Sequence, residues 1–363
     1  MLLGVSSFLF EFALFLESFM KSMVLTGIRQ MEMVERADPE IRGEKDVLIR
    51  LGRVGVCGSD VHYYVSGKIG SQVVEYPFTV GHECSGIVEE VGRGVSRVKA
   101  GDRIAVEPAV SCFRCDQCLA GRHHTCRELV FLGCPGQIEG CLSEYIVMPE
   151  ESCFKISDKM SLDEAAISEP LAIGVYGVKQ SGDISGADIG ILGAGPIGLS
   201  VMLAAKARGA GNIYATDLID QRVEVVSRHG ATWAGNPEKQ DVVGEILGLE
   251  KGGLDVVFEC CGEQEALDQA IELLKPGGKL MLIGIPQVDR VSFCIDKIRR
   301  KEICVQNVRR QCGCVQESLD MIDNNQIDVD FMVTHRFGFD QTKEAFDLVA
   351  GYKDGVVKAM VDF

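Results

Sequence analysis

The sequence predicts two domains of different class, a β-rich domain followed by an α/β domain built on a parallel sheet. Three observations carry this. Residues 189–217, IGILGAGPIGLSVMLAAKARGAGNIYATD, read in order as strand, glycine turn, helix, strand and acid. From there to about residue 285, short apolar runs alternate with helical stretches, the βαβ pattern of a parallel sheet with right-handed crossovers. Ahead of it, residues 23–99 carry short strands and glycine-punctuated turns without a helical period.

A chain of 363 residues suits two domains, and 46% hydrophobic content fills their cores. Thirty-seven basic against 53 acidic residues leave a net charge of −16, which argues against nucleic acid or an anionic membrane as partner. The 15 cysteines are odd in number and show no regular framework. They fit free or metal-bound thiols in a reducing, cytoplasmic setting. Residues 1–22, MLLGVSSFLFEFALFLESFMKS, are apolar, but Glu11 and Glu17 interrupt them and no basic start precedes them. They make a poor membrane span and a poor signal peptide. With a second start at Met23, they are expected to be an extension outside the fold, or else an interfacial amphipathic helix.

Strands are expected over 24–30, 46–56 and 83–91. Within this stretch lie Cys57 and, 25 residues later, His82 and Glu83. Singly, Cys57 would be a small buried hydrophobe and His82 a satisfied core residue. Together, in glycine-flanked loops, they offer a thiolate, an imidazole and a carboxylate, three ligand types that zinc accepts with a fourth position left open. A strand over 101–108 leads into a loop with Cys112, Cys115, Cys118 and Cys126, spaced C-x2-C-x2-C-x7-C. Four thiolates complete a closed, structural zinc shell. An iron–sulfur cluster takes the same ligands but has no one-electron task beside a nicotinamide site. His123 and His124 read as surface residues of this lobe. Another strand spans 140–149, and a helix begins at 163–168. Glu169 follows, placed to reach an interdomain cleft, or else to serve as a helix cap or a solvated surface carboxylate.

In the dinucleotide motif, Gly193 permits the turn off the strand, Gly195 lets a pyrophosphate approach the backbone, and Gly198 allows close helix packing. Pro196 and Ile197 open the helix, whose N-terminal N–H groups face the phosphates. Asp217 can accept both ribose hydroxyls and repel a 2′-phosphate, which favours NAD over NADP. Arg222 nearby could instead accept that phosphate. Helices are expected over 221–230 and 264–274, and strands over 254–260 and 279–285. The last two end at Cys261 and Ile285, candidates for lining the nicotinamide half. Beyond about 310 come a helix (315–324), a strand (333–337), a helix (341–349) and a strand (355–363). This tail is too short for a domain and is expected to pack back on the first. The expected division is therefore an extension 1–22, a catalytic domain 23–167, a dinucleotide domain 168–310 and a return 311–363.

On the run Cys57-Gly58-Ser59-Asp60-Val61-His62-Tyr63, on Gly81-His82-Glu83, the cysteine lobe, Glu169-Pro170-Leu171, the glycine motif, Asp217 and residues 333–337, the chain resembles the zinc-dependent medium-chain dehydrogenases. The resemblance runs from about Met23 to Phe363. Within that family it looks like the polyol branch, the sorbitol (L-iditol 2-) and xylitol dehydrogenases. It implies a GroES-like catalytic domain, a Rossmann NAD-binding domain and a C-terminal return. It implies catalytic zinc on Cys57, His82 and Glu83, with Glu169 holding the metal's water or exchanging onto the metal. Spacing leaves open which glutamate ligates. The implied reaction takes hydride from a secondary hydroxyl of a polyol to NAD, giving a ketose. Ser59, or water held by Glu169, takes the proton and His62 passes it outward, while Tyr63, Phe131 and Arg310 line the substrate. Threonine dehydrogenases look similar but usually carry Asp-Pro where this chain has Glu169-Pro170. The pair Arg310-Gln311 departs from the Arg-Tyr of mammalian sorbitol dehydrogenases, which also lack the full cysteine lobe, so the chain is similar to microbial members. The resemblance also suggests a homo-oligomer, a tetramer or dimer. A threonine 3-dehydrogenase or simple alcohol dehydrogenase of the same fold stands as one alternative. A non-catalytic NAD-binding protein stands as another.

Overall fold

In the computed structural model, which describes residues 18–363, the chain opens on an antiparallel hairpin of β1 (Phe19–Gly27) and β2 (Gln30–Ala37). Residues 19–22 therefore belong to the fold, a correction to the expected extension. They pair with residues 34–37, Ser22 is buried, and the Lys21 amide donates to the Glu144 carboxylate at 2.6 Å. The rest of that segment, residues 1–17, lies outside the described residues. The strand expected over 24–30 breaks at Ile28 and Arg29, where Arg29 takes a left-handed φ of 56° to turn the hairpin.

β3 (Asp46–Gly55) is the spine of the first sheet. β4 (Glu83–Val91) pairs antiparallel along it, β5 (Arg103–Val106) follows β4, β6 (Tyr145–Pro149) covers the first half of β3, and β7 (Cys153–Lys155) extends β5. Between β3 and β4 rises α1 (Gly58–Ser66), where a loop was expected. The helix starts because the Asp60 carboxylate, at its third position, accepts from the Cys57 amide at 3.4 Å. Gly67, at φ 70°, ends it. α2 (Leu162–Ser181) starts on Ser161, whose hydroxyl accepts from the Glu164 amide at 3.1 Å while the Glu164 carboxylate accepts from the Ser161 amide at 2.6 Å.

The second sheet is wholly parallel. Its strands are β8 (Ile189–Leu192), β9 (Ile213–Thr216), β10 (Trp233–Gly235), β11 (Leu254–Glu259), β12 (Leu274–Leu282) and β13 (Cys304–Asn307), in spatial order β10-β9-β8-β11-β12-β13. The order reverses beside β8, the switch point at which such sheets bind dinucleotides. Ile189, Ile191 and Leu192 of β8 are fully buried, each worth about 1.5–3 kcal/mol. α3 (Pro196–Ala207) follows, and α2 packs on both α3 and β4, so that one long buried helix ties the two sheets together. Gly193 leaves β8 at φ 98°, and a Cβ on Gly198 would sit 1.9 Å from the Gly193 carbonyl oxygen. Finally β14 (Val333–Gly338) and β15 (Lys358–Asp362) rejoin the first sheet, β15 pairing with residues 53–55 of β3. No described helix is long and apolar enough to cross a membrane.

The Gly198 contact generates a prediction. Gly198→Ala should lower stability by about 1–3 kcal/mol and weaken dinucleotide affinity, because turn and helix must separate to admit the methyl group. Thermal melts and a fluorescence titration with NADH check it. Wild-type values in both would contradict the tight approach.

Candidate active site and metal centres

Cys57 stands at the start of α1, and His82 and Glu83 at the start of β4. The two elements bring one donor atom from each residue within 4.8 Å of the others. Asp60, which the sequence reading did not single out as a site residue, is almost fully buried and bonds His82 Nδ1 at 3.1 Å and the Gly81 amide at 3.2 Å. A carboxylate on Nδ1 leaves Nε2 for a metal. Burial disfavours the His82 imidazolium, but the charges of Asp60 and Cys57 outweigh it and hold the pKa well above the usual value. Glu83 is also buried, and Lys358 of β15 donates to both its oxygens, at 2.7 and 2.5 Å, and to the Val56 carbonyl at 3.1 Å. Ser59 Oγ donates to Cys57 Sγ at 3.3 Å.

Glu169, on α2, is outside that cluster of mutually close donors. Its Oε2 is buried without a hydrogen-bond partner, an orphaned acceptor that a cation or a substrate hydroxyl would satisfy. Burial pushes its pKa up to about 7; the charge of His82 opposes the rise, and that of Glu83 adds to it. Glu107, just after β5, is a second carboxylate that the sequence reading missed. Removal from water and then the charge of Glu169 push it up to about 8. It accepts from the Ala109 amide at 3.0 Å and from the Gln311 side chain. The Arg310 guanidinium lies 3.2 Å from the centroid of the Phe131 ring, and that ring meets His82 at 5.1 Å. Tyr63 is buried and donates to Gln72 at 3.1 Å. His62 lies further along α1, and burial lowers its pKa.

The second centre is the cysteine lobe. The sulfurs of Cys112, Cys115, Cys118 and Cys126 lie within 4.8 Å of one another, with pairs at 3.4, 3.9 and 4.0 Å. A zinc–sulfur bond of about 2.3 Å in a tetrahedron puts sulfurs about 3.8 Å apart, so the set fits zinc with no open position. None of the 15 cysteines is in a disulfide. His124 is a correction: it was expected at the surface, but it is buried and Nε2 meets the Tyr176 hydroxyl of α2 at 3.0 Å. The lobe folds against α2, which covers most of that residue.

At the dinucleotide turn, Asp217 closes β9 with Oδ2 accepting from the Ala194 amide at 2.8 Å and Oδ1 from the Ile219 amide at 2.9 Å. Gly195 caps α3, followed by Pro196, Ile197 and Gly198. Arg222 is buried and donates to the Val356 carbonyl through Nε and Nη2, with Nη1 4.0 Å from Asp217. Cys261 and Ile285 are exposed beyond the carboxyl ends of β11 and β12.

A metal-type donor set on a β domain, joined to a parallel sheet with a glycine turn at its switch point, defines a metal-dependent, dinucleotide-linked dehydrogenase. Residues 43–158 match the model of the alcohol dehydrogenase GroES-like domain, and residues 196–324 that of the zinc-binding dehydrogenase domain. The chain is 36% identical over 343 residues to the sorbitol dehydrogenase of Bacillus subtilis (strain 168), covering 94% of this chain and 97% of that protein. It is 35% identical over 333 residues to the L-idonate 5-dehydrogenase of Vitis vinifera, covering 90% of each. A crystal structure of a zinc-binding dehydrogenase from Sinorhizobium meliloti 1021 bound to NADP superposes with a TM-score of 0.87 at 31% identity, covering 95% of this chain and 100% of that one. The chain belongs to the zinc-dependent medium-chain dehydrogenases, in their polyol branch. Zinc and a nicotinamide dinucleotide are the cofactors of this enzyme class, and the donor sets above fit the metal.

Two predictions follow from the geometry. Asp60→Asn should lower affinity at the catalytic metal site by about 10- to 100-fold while leaving the cysteine lobe loaded. Zinc competition titrations against a chelator measure both sites, and equal loss from the two would contradict it. Glu107 has a raised folded pKa, so its contribution to stability is present below the unfolded value and lost as pH rises toward about 8. Glu107→Gln should therefore gain stability relative to wild type between about pH 4.5 and 8. Denaturant unfolding of the two proteins across that range tests it, and parallel pH curves would count against it.

Proposed function

We propose that the protein is a zinc-containing, NAD-dependent polyol dehydrogenase of the L-iditol 2-dehydrogenase type, oxidising a secondary hydroxyl of sorbitol, L-iditol or xylitol to a ketose. The observation that carries this is the Cys57, His82 and Glu83 donor set beside the unpartnered carboxylate of Glu169. The substrate class comes from relatives, among them one named sorbitol dehydrogenase.

Bound at these three residues, zinc supplies the Lewis acidity that makes a substrate hydroxyl easier to ionise. The chain's own residues do the rest. Asp60 holds the His82 ring, and Lys358 holds the Glu83 carboxylate. Glu169 accepts a hydrogen bond from the substrate hydroxyl with its free oxygen. Ser59 stands beside Cys57, and His62, three residues on, shares its face of α1. Burial keeps His62 neutral near pH 7, ready to receive the proton that Ser59 hands on. Tyr63, Phe131 and Arg310 line the polyol, and Cys261 and Ile285 border the nicotinamide. Asp217, fixed by two backbone amides, selects NAD over NADP by accepting ribose hydroxyls and repelling a 2′-phosphate. Arg222, engaged by the Val356 carbonyl, backs that carboxylate rather than serving a phosphate. The free thiols favour a cytoplasmic enzyme. The unpaired outer edge of β13, with Val305 exposed, suits a homo-oligomer, a dimer or tetramer.

The test is absorbance of reduced nicotinamide with NAD⁺ or NADP⁺ over sorbitol, xylitol, galactitol, L-threonine and ethanol, with and without a zinc chelator. Chelator-sensitive turnover of a polyol with NAD⁺ is expected. Turnover of threonine or ethanol alone would move the enzyme to another branch, and no turnover by zinc-loaded protein would overturn the polyol reading.

A further inference from the structure

A cavity lies beside the cysteine lobe, apart from the metal cluster and the dinucleotide turn. It measures about 350 Å³, and its lining includes His124, Arg127, Leu129, Gln137, Arg309 and Arg310. Phe131 connects it to the active site, because the same ring meets the Arg310 guanidinium and the His82 imidazole. His82 of the metal cluster and Arg310 of this lining thus share the Phe131 ring as a common neighbour.

The charge of this cavity stands out in a chain of net −16. Among the described residues, neither Arg309 nor Arg310 makes a salt bridge, and Arg310 Nη1 is buried without an acceptor. Arg127 differs, since the Asp116 carboxylate engages it through Nε and Nη2. Arg310 shares its field with Glu107 and Glu169, on the catalytic side. Arg309 bears on His124, and both arginines bear on Cys134. Consecutive residues of an extended chain point to opposite sides. Here Arg310 takes a left-handed φ of 53°, a costly conformation for a residue with a side chain, and both arginines line one cavity. Neutral hydroxyls can be bound by any neutral donor. Two guanidinium groups with no salt-bridge partner instead match a planar or tetrahedral oxyanion, which accepts paired, charge-assisted hydrogen bonds.

We propose that the substrate carries an acidic group, a carboxylate or a phosphate ester, at the end remote from the oxidised carbinol, and that Arg309 and Arg310 bind it. This rests on the polyol dehydrogenase reading, keeps its reaction, and shifts the preferred substrate from the neutral polyols named above to the corresponding polyol acids or polyol phosphates. The reaction keeps its balance. The carbinol carbon gives hydride to NAD⁺, the hydroxyl proton goes to solvent, the ketone forms, and the acidic group is unchanged.

The experiment compares kcat/KM with NAD⁺ for two matched pairs, L-iditol against L-idonate and D-sorbitol against D-sorbitol 6-phosphate, in wild type and Arg309→Gln. In at least one pair the acidic member should exceed its neutral partner by about tenfold or more, mainly through KM. Arg309→Gln should bring that ratio close to one. Its melting temperature should stay at the wild-type value, because Arg309 is exposed. The pair that responds tells carboxylate from phosphate. Faster turnover of both neutral members, or an acidic preference that Arg309→Gln leaves intact, would overturn the anion pocket and leave the polyol reading standing. Turnover of none of the four would overturn both.

Discussion

The buried ion pair between Glu83 and Lys358 is the constraint on which the catalytic domain depends. Its two ends lie 275 residues apart, at the start of β4 and the start of the last strand. Both side chains are almost fully removed from water. Either charge alone would be costly there, and removing one partner of such a pair typically destabilises by about 3–5 kcal/mol. The pair therefore makes the metal site conditional on the return of the chain. Glu83 can lie charged beside Cys57 and His82 only when β15 has docked on β3 and brought Lys358 with it. The whole dinucleotide domain is inserted between the two ends of that bond, so the active site is complete only when both sheets are in place.

A second layer of constraint sets the donors themselves. Asp60 serves two purposes with one carboxylate. It accepts from the Cys57 amide, which starts α1, and it holds His82 Nδ1, which aims the imidazole. Local helix geometry and metal-ligand geometry are thus the same requirement, met by a residue three positions from the thiolate. Beside this cluster the carboxylates of Glu107 and Glu169 and the guanidinium of Arg310 bear on one another, largely removed from water. Each carboxylate is held above its ordinary range chiefly by loss of water, and Arg310 offsets part of that cost.

The parts that the sequence made legible are those whose chemistry is local. The glycine turn needs φ 98° at Gly193 and no Cβ at Gly198, and both needs are written in consecutive residues. The four thiols of the lobe lie within 15 residues, so their spacing alone implies a closed shell. What stayed hidden is long-range. Lys358 could have been noticed as the one charge inside the apolar run VVKAMV, but its partner is not marked in the sequence. Glu107 and Gln311 meet across more than two hundred residues, and no pattern links them. Residues 19–22 looked dispensable because they end an apolar stretch that precedes a methionine; pairing with β2 and burial of Ser22, neither of them a local property, put them in the fold.

His124 shows how such long-range contacts change the meaning of a motif. As a member of the cysteine lobe it looked like a surface residue of a separate structural device. Its bond to Tyr176 places the lobe against α2, the helix that carries Glu169 seven residues earlier. Residues seven apart lie on nearly the same side of a helix. The closed thiolate centre thus bears on the helix that presents the unpartnered carboxylate to the active site. The same lobe contributes His124 and Arg127 to the cavity that Arg309 and Arg310 line. A metal centre with no open position, and so no chemistry of its own, thereby packs against the helix that carries Glu169 and supplies part of the wall of that cavity.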